Sequence, residues 1–135
     1  MLGEILYEEK GKTTGVRVLT SEGDDVTVEL SLKTQGKILG VPQNSLWTYS
    51  SRTRSDGTIY GEGHGFMTTK DGDVIRLTGS GACKAADPDG SIHYRGAIYF
   101  RTTSAKFSNL NGMVAVHEYD VDAEGNTVAT VWEWK

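Results

Sequence analysis

Apolar and polar residues alternate along most of this chain. Val26, Val28, Leu30 and Leu32 alternate with Thr27, Glu29, Ser31 and Lys33, and in an extended backbone that pattern sends one set to a buried face and the other to water. Ile92, Tyr94, Ile98 and Phe100 do the same against His93, Arg95 and Arg101, with Gly96 in the apolar row, where a bend or close packing is expected. Ile75 and Leu77 share a face with Gly79 and Gly81, opposite Arg76, Thr78 and Ser80, while Met113, Ala115, Tyr119 and Val121 form another inward row. Ala-, Leu- and Lys-rich helical runs are missing, and Gly, Thr, Val and Tyr recur, which favours strands.

Acidic-glycine pairs punctuate these stretches at Glu22-Gly23, Asp56-Gly57, Asp71-Gly72, Asp89-Gly90 and Glu124-Gly125. They predict hairpin corners, because tight primed turns need a positive φ that Gly reaches freely and Asp tolerates. Strands are expected near residues 3–10, 13–20, 25–41, 45–54, 58–69, 73–84, 91–103, 112–121 and 127–135. An antiparallel meander closes only with an even number of strands, so one segment, the first, is expected to be a short extension or half of a bent strand. Residues 104–112 break the alternation: Ser104 is placed to cap a short helical turn near 104–110, Phe107 and Leu110 share a face, and Asn111-Gly112 ends it. This stretch is expected to plug one barrel end. The fold predicted is all-β, a single up-and-down antiparallel barrel of about eight strands over residues 1–135. The alternative is a β-sandwich, whose longer crossovers have only residues 41–45 and 104–112 to draw on.

Composition narrows the function classes. At 135 residues the chain can bury one ordinary core. The net charge of −4 would repel a phosphate backbone unless one face concentrated the basic residues, and eight Lys or Arg against six Asp or Glu between Arg52 and Lys106, spread over several strands, give no face such a concentration, so nucleic acid is not an expected partner. The single cysteine, Cys83, excludes an intramolecular disulfide, and the acidic, strand-like residues after Met1 do not resemble a leader, which together fit a cytoplasmic protein. The apolar runs are too short for a membrane-spanning helix, so no membrane partner is expected.

The most unusual passage is Tyr60-Gly61-Glu62-Gly63-His64-Gly65-Phe66, where three glycines occupy one face of a strand and Tyr60, Glu62, His64 and Phe66 the other. If the side-chain face points inward, Glu62 and His64 become a general acid/base pair in a desolvated cavity beside Tyr60. If the glycine face points inward, the strand coils tightly against its neighbours and Glu62 and His64 are ordinary outer-wall residues. The glycine spacing is not a dinucleotide loop, because strand and not helix follows it. His117 shares its inward row with Tyr119, as a pocket base or as a core histidine satisfied by a backbone group. His93 alternates with Arg95 and is expected in solvent. His64, Cys83, His93 and His117 have no metal-ligand spacing, Asp87-Pro88-Asp89-Gly90 lacks the later ligands of a calcium loop, and Cys83 has no obvious base beside it. No metal or other cofactor is therefore expected. Trp132 and Trp134 share one face of the last strand with Val128, and if Ala129 and Val131 point in, the tryptophans face out and favour a homo-oligomer.

The run Ile59-Tyr60-Gly61-Glu62-Gly63-His64-Gly65-Phe66-Met67-Thr68, then Asp71, then Ile75-Arg76-Leu77-Thr78-Gly79-Ser80-Gly81, resembles the allene oxide cyclase-like barrels. That resemblance implies an eight-stranded barrel with an apolar cavity, often oligomeric, in a group whose plant members cyclise an unstable fatty-acid epoxide largely by holding its conformation. No catalytic position transfers from it.

Three functions compete at this point. A barrel can bind a small apolar or amphipathic molecule in its interior, with Tyr60, Glu62, His64, His117 and Tyr119 as candidate pocket residues. It can be an isomerase or cyclase acting on a lipid-like substrate through Glu62, His64 or His117. It can be a structural or oligomerisation module whose barrel is filled solid.

Overall fold

A computed structural model describes residues 1–23 and 25–135. The strands are β1 (Leu2–Glu22), β2 (Asp25–Ile38), β3 (Val41–Thr53), β4 (Ile59–Thr69), β5 (Val74–Cys83), β6 (Ile92–Thr102), β7 (Ala115–Val121) and β8 (Asn126–Trp134). Each pairs antiparallel with the next, and β8 returns to β1, so the sheet closes in chain order. The expected up-and-down barrel is what forms, and closure excludes the sandwich. A 3₁₀ turn at Ser108–Leu110 is the only helical element among the described residues.

The two segments expected at 3–10 and 13–20 are halves of one strand. β1 runs for 21 residues, with register shifts against β2 between Thr13 and Gly15 and between Val18 and Thr20 that bend it. β8 accompanies β1 only as far as the Lys12–Asn126 pair. Residues 14–22 therefore pair with β2 alone and project past the rim, which leaves Val16 and Val18 64% and 65% exposed. At the tip of that projection Val26 is exposed, whereas Leu32, deeper in the same apolar row, is buried.

Four of the five expected corners share one construction, and it differs from the primed turn expected. The N–H of Gly57 donates to the carbonyl of Arg54, and the N–H of Arg54 donates to the carbonyl of Thr58. The same pair of bonds recurs at Thr69/Gly72/Asp73, Asp87/Gly90/Ser91 and Asp122/Gly125/Asn126. Only the glycine of each corner has positive φ, from 86° at Gly125 to 90° at Gly72 and Gly90. These are three-residue loops, a type I turn closed by a left-handed glycine. The acidic residue stays out of the left-handed region; Asp56 and Asp89 instead accept hydrogen bonds from the backbone N–H groups of Thr58 and Ser91.

The two-residue turn with both residues at positive φ is Leu39-Gly40, at 47° and 83°, between the paired residues Ile38 and Val41. It lies inside the segment expected as strand 25–41, and it makes residues 41–45 strand instead of a crossover. Leucine rarely adopts this region, so no turn signal marks the position.

The loop between β6 and β7 closes one barrel end as expected. Phe107 and Leu110 are fully buried against Leu6, Tyr7, Phe100 and Val131. Burial of side chains of this size contributes about 1.5–3 kcal/mol each, as an upper estimate. Ser104 does not cap the turn: its Oγ donates to the Asp73 carboxylate 2.8 Å away, which ties the loop to the β4–β5 corner. Toward the other end, a second cluster forms from Ile59, Tyr94 and Val121, with Tyr49, Tyr119 and Cys83 packed on it.

Candidate functional site

Between the two clusters lies a cavity of about 80 Å³ to which every strand contributes. Its size follows from the rows of glycine. Gly61, Gly63, Gly79 and Gly81 face inward from β4 and β5, where any other residue would bring a side chain. They do two different jobs. A methyl group on Gly63 would be driven into the carbonyl oxygen of Thr48 and the backbone of Tyr49, so this glycine permits the strands to coil. A methyl group on Gly79 would meet the Ile98 side chain at 3.2 Å, the Ala97 carbonyl oxygen at 3.3 Å and Trp47 at 3.6 Å, tight contacts but not collisions, so this glycine mainly leaves room in the cavity.

Three tyrosines form the roof. Tyr94 and Tyr119 stack at 5.7 Å, and Tyr49 meets both edge-on. Their hydroxyls are paired internally: Tyr49 with Tyr119 at 3.1 Å, and Tyr94 with Ser51 at 2.6 Å. Burial pushes all three phenols above the ordinary range, so they stay protonated at any physiological pH.

Two titratable groups line the same space. His117 is 9% exposed, and its Nε2 lies 2.9 Å from the carbonyl of Ser80. A carbonyl only accepts, so Nε2 carries the hydrogen. Burial, aided by the Arg95 charge, lowers the imidazole pKa, so the ring is neutral and Nδ1 presents a bare lone pair. That buried Nδ1 has no protein partner. Glu9 accepts hydrogen bonds from Gln43 at 3.0 Å and Ser45 at 3.2 Å on one carboxyl oxygen. Desolvation nonetheless raises its pKa, because the donors only partly replace bulk water.

Of the expected pocket residues, the fold delivers His117 and Tyr119 to the cavity. Tyr60, Glu62 and His64 stand on the outer wall, where the Tyr60 hydroxyl donates to Glu62 at 3.2 Å. Glu62 borders the cavity only through the chain between Gly61 and Gly63; its side chain is exposed. The correction has a steric cause: at Gly63 and Gly65 the inward position lies against the β3 backbone, which only glycine tolerates, so the side-chain face of this stretch turns outward. Glu9, Tyr49 and Tyr94 complete the site. Glu9 stands beside Glu4 and Glu8 in a segment that reads as an acidic edge, and its one sequence signal is that it shares a face with Tyr7 and Gly11.

The remaining candidates fall as follows. His93 faces solvent, each ring nitrogen 2.8 Å from a carboxylate, Asp120 on one side and Asp87 on the other. Cys83 is half-buried, and its thiol donates to the Ala85 carbonyl. No cluster of potential metal ligands occurs among the described residues. No helix among them is long and apolar enough to cross a membrane. Ala129 and Val131 point inward, while Trp134 is 59% exposed and Trp132 half-exposed, with Leu2 and Ile5 of β1 opposite them.

No protein-family model matches the chain, and no curated protein matches it in sequence. Solved structures do match in shape. A protein of unknown function from Clostridium acetobutylicum ATCC 824 superposes with a TM-score of 0.85 at 14% identity, covering 98% of each chain. A beta-barrel like protein from Acinetobacter baumannii AYE gives 0.83 at 17% identity, over 100% of this chain and 96% of the other. A protein from Penicillium herquei described as an enzyme gives 0.74 at 20% identity, over 97% of this chain and 92% of that one. At such identities the likeness is one of fold, and it sets this chain among small barrel proteins without reaching the allene oxide cyclase-like family.

Proposed function

We propose that the barrel binds a small, largely apolar molecule in its interior and orients it through a hydroxyl or N–H group. The observation that carries this reading is His117 Nδ1, a buried lone pair beside an apolar cavity with no protein partner. A buried acceptor left unpaired costs about 1–3 kcal/mol, and a ligand donor relieves that cost. An engineered cavity of about 150 Å³ holds benzene; at about 80 Å³ this one admits a ring-sized group only as the lining side chains move apart. The allene oxide cyclase-like resemblance points the same way, toward an apolar interior.

Titration calorimetry with phenol and toluene tests the reading. Phenol is expected to bind about tenfold more tightly than toluene, and His117→Phe is expected to abolish the difference. Equal affinities, or no binding of either, would refute it.

A second reading, an isomerase or cyclase, is favoured by one combination: His117, with its neutral imidazole, and Glu9, with a carboxyl of raised pKa, line one cavity. Such a pair can take a proton from one carbon or oxygen of a bound molecule and return one to another. Glu62 and His64 have no part in it, because they lie outside. Turnover of a candidate substrate that survives both His117→Gln and Glu9→Gln would eliminate this version. A barrel filled solid, the third alternative, has nothing to support it beside the cavity.

A further inference from the structure

Along the chain the cations are dispersed, but the register gathers them. Lys12 pairs with Lys33, Lys33 with Leu46, Leu46 with Phe66, Phe66 with Arg76, and Arg76 with Arg101. Directly paired residues share a face, so these six form one row across the outer wall from β1 to β6. The expectation that no face concentrates basic residues is corrected by this row.

The flanking rows add Lys10, Gln35, Asn44 and Thr68 on one side and Ser31, Thr48, His64, Thr78 and Tyr99 on the other. Neither contains a carboxylate. Glu8, Glu29 and Glu62 lie one row further out, and Asp122 at the β7–β8 corner is the acid whose charge reaches Lys12. Among the described residues, none of Lys10, Lys12, Lys33, Arg76 and Arg101 takes part in an ion pair. Phe66 and Tyr99 are 43% and 49% exposed within the band.

We infer that this band binds single-stranded nucleic acid, with the five cations meeting phosphates and the exposed rings of Phe66 and Tyr99 offering faces on which bases stack. The shape selects among polyanions. A row crossing six of eight strands wraps more than half of the barrel, so a flat anionic bilayer reaches only part of it. A stiff duplex is likewise too straight to follow it, whereas a single strand bends with the wall. Neighbouring strands are about 4.8 Å apart, so Lys12 with Lys33 and Arg76 with Arg101 can each serve adjacent phosphates, while Leu46 and Phe66 on the two strands between face the nucleotides that join them. Bare charge would suit an acidic peptide equally, but exposed aromatic faces among the cations favour bases. Because the whole protein carries −4, attraction is local to the band and sensitive to salt.

The test is fluorescence anisotropy of a labelled oligothymidylate of about 20 nucleotides, titrated between about 20 and 200 mM salt. If each of the five cations meets a phosphate, log K falls against log salt with a slope of about −3.5, and a Lys33→Ala/Arg76→Ala pair flattens it by about 1.4. Phe66→Ala is expected to weaken binding roughly 5- to 150-fold with the slope unchanged. Lys84→Ala, outside the band, leaves both unchanged. All four positions are exposed, and circular dichroism verifies that each variant retains its fold. No anisotropy change at the lowest salt overturns the inference. So does equal competition by polyglutamate, which assigns the band to an acidic protein, or capture only by phosphatidylserine vesicles, which assigns it to a membrane surface.

Discussion

The inward glycines allow a decisive comparison, because Gly63 and Gly79 lie side by side on paired strands yet are kept empty for different reasons. Neither has positive φ, so alanine at either position carries no left-handed strain. At Gly63 the added methyl would press on the carbonyl oxygen of Thr48 and the Cα of Tyr49. Both belong to the β3 backbone, which no rotamer change can move. Relief requires parting β3 from β4, at the expense of ladder hydrogen bonds. Overpacking costs typically 1–3 kcal/mol where side chains can yield, so a backbone collision is expected to cost about 3 kcal/mol or more. At Gly79 the methyl would lie 3.2 Å from Ile98 Cγ1, which shifts by a few tenths of an ångström, and 3.3 Å from the Ala97 carbonyl oxygen, a far looser approach than that to the Thr48 carbonyl oxygen at Gly63. Alanine also lowers the entropy of the unfolded chain, worth roughly 0.4–1 kcal/mol in favour of folding. The two effects nearly cancel. In a domain of this size 1 kcal/mol corresponds to roughly 3–6 °C in Tm, so Gly63→Ala is expected to lose on the order of 10–15 °C and Gly79→Ala less than about 5 °C. Urea and thermal unfolding followed by circular dichroism measure both. If Gly63→Ala matches the parent, or Gly79→Ala is equally damaged, the division into coiling and cavity-forming glycines is wrong.

Three further outcomes are expected. Burial raises the Glu9 pKa, so the folded state holds that proton more tightly than the unfolded chain, and stability is lost as pH rises from about 4.3 through the raised native value. Glu9→Gln removes that dependence: urea midpoints of parent and variant should converge near pH 4 and separate toward pH 7 in favour of the variant, by about 1.4 kcal/mol for every tenfold difference in proton affinity between the folded and unfolded chain; a variant weaker at neutral than at acid pH, relative to the parent, would contradict this. Leu39 holds φ of 47° while 43% exposed, so Leu39→Asn relieves strain at little loss of burial, and a Tm increase of a few degrees, about 1 kcal/mol, is expected by calorimetry. The outer wall of Leu2, Ile5, Val128, Trp132 and Trp134 predicts self-association, seen as a dimer by light scattering that Trp134→Glu dissociates; a monomeric parent disposes of it.

The sequence by itself determined the number of strands, the places where most corners fall and the inward rows of β5, β6 and β7. These are local properties: a period of two marks an extended segment, and a glycine at positive φ marks a corner whatever surrounds it. Residues 59–66 resisted the same logic because alternation separates two faces without saying which is inside, and here the inner face is the one with no side chains to read. Leu39-Gly40 stayed hidden because its turn places leucine where turn statistics expect Asn or Gly. Only the tertiary structure decided that Glu9, His117 and three tyrosines from different strands share one cavity, and that Lys12, Lys33, Arg76 and Arg101 share one row. Both depend on register between strands, and residues tens of positions apart become neighbours only when the ladder has closed.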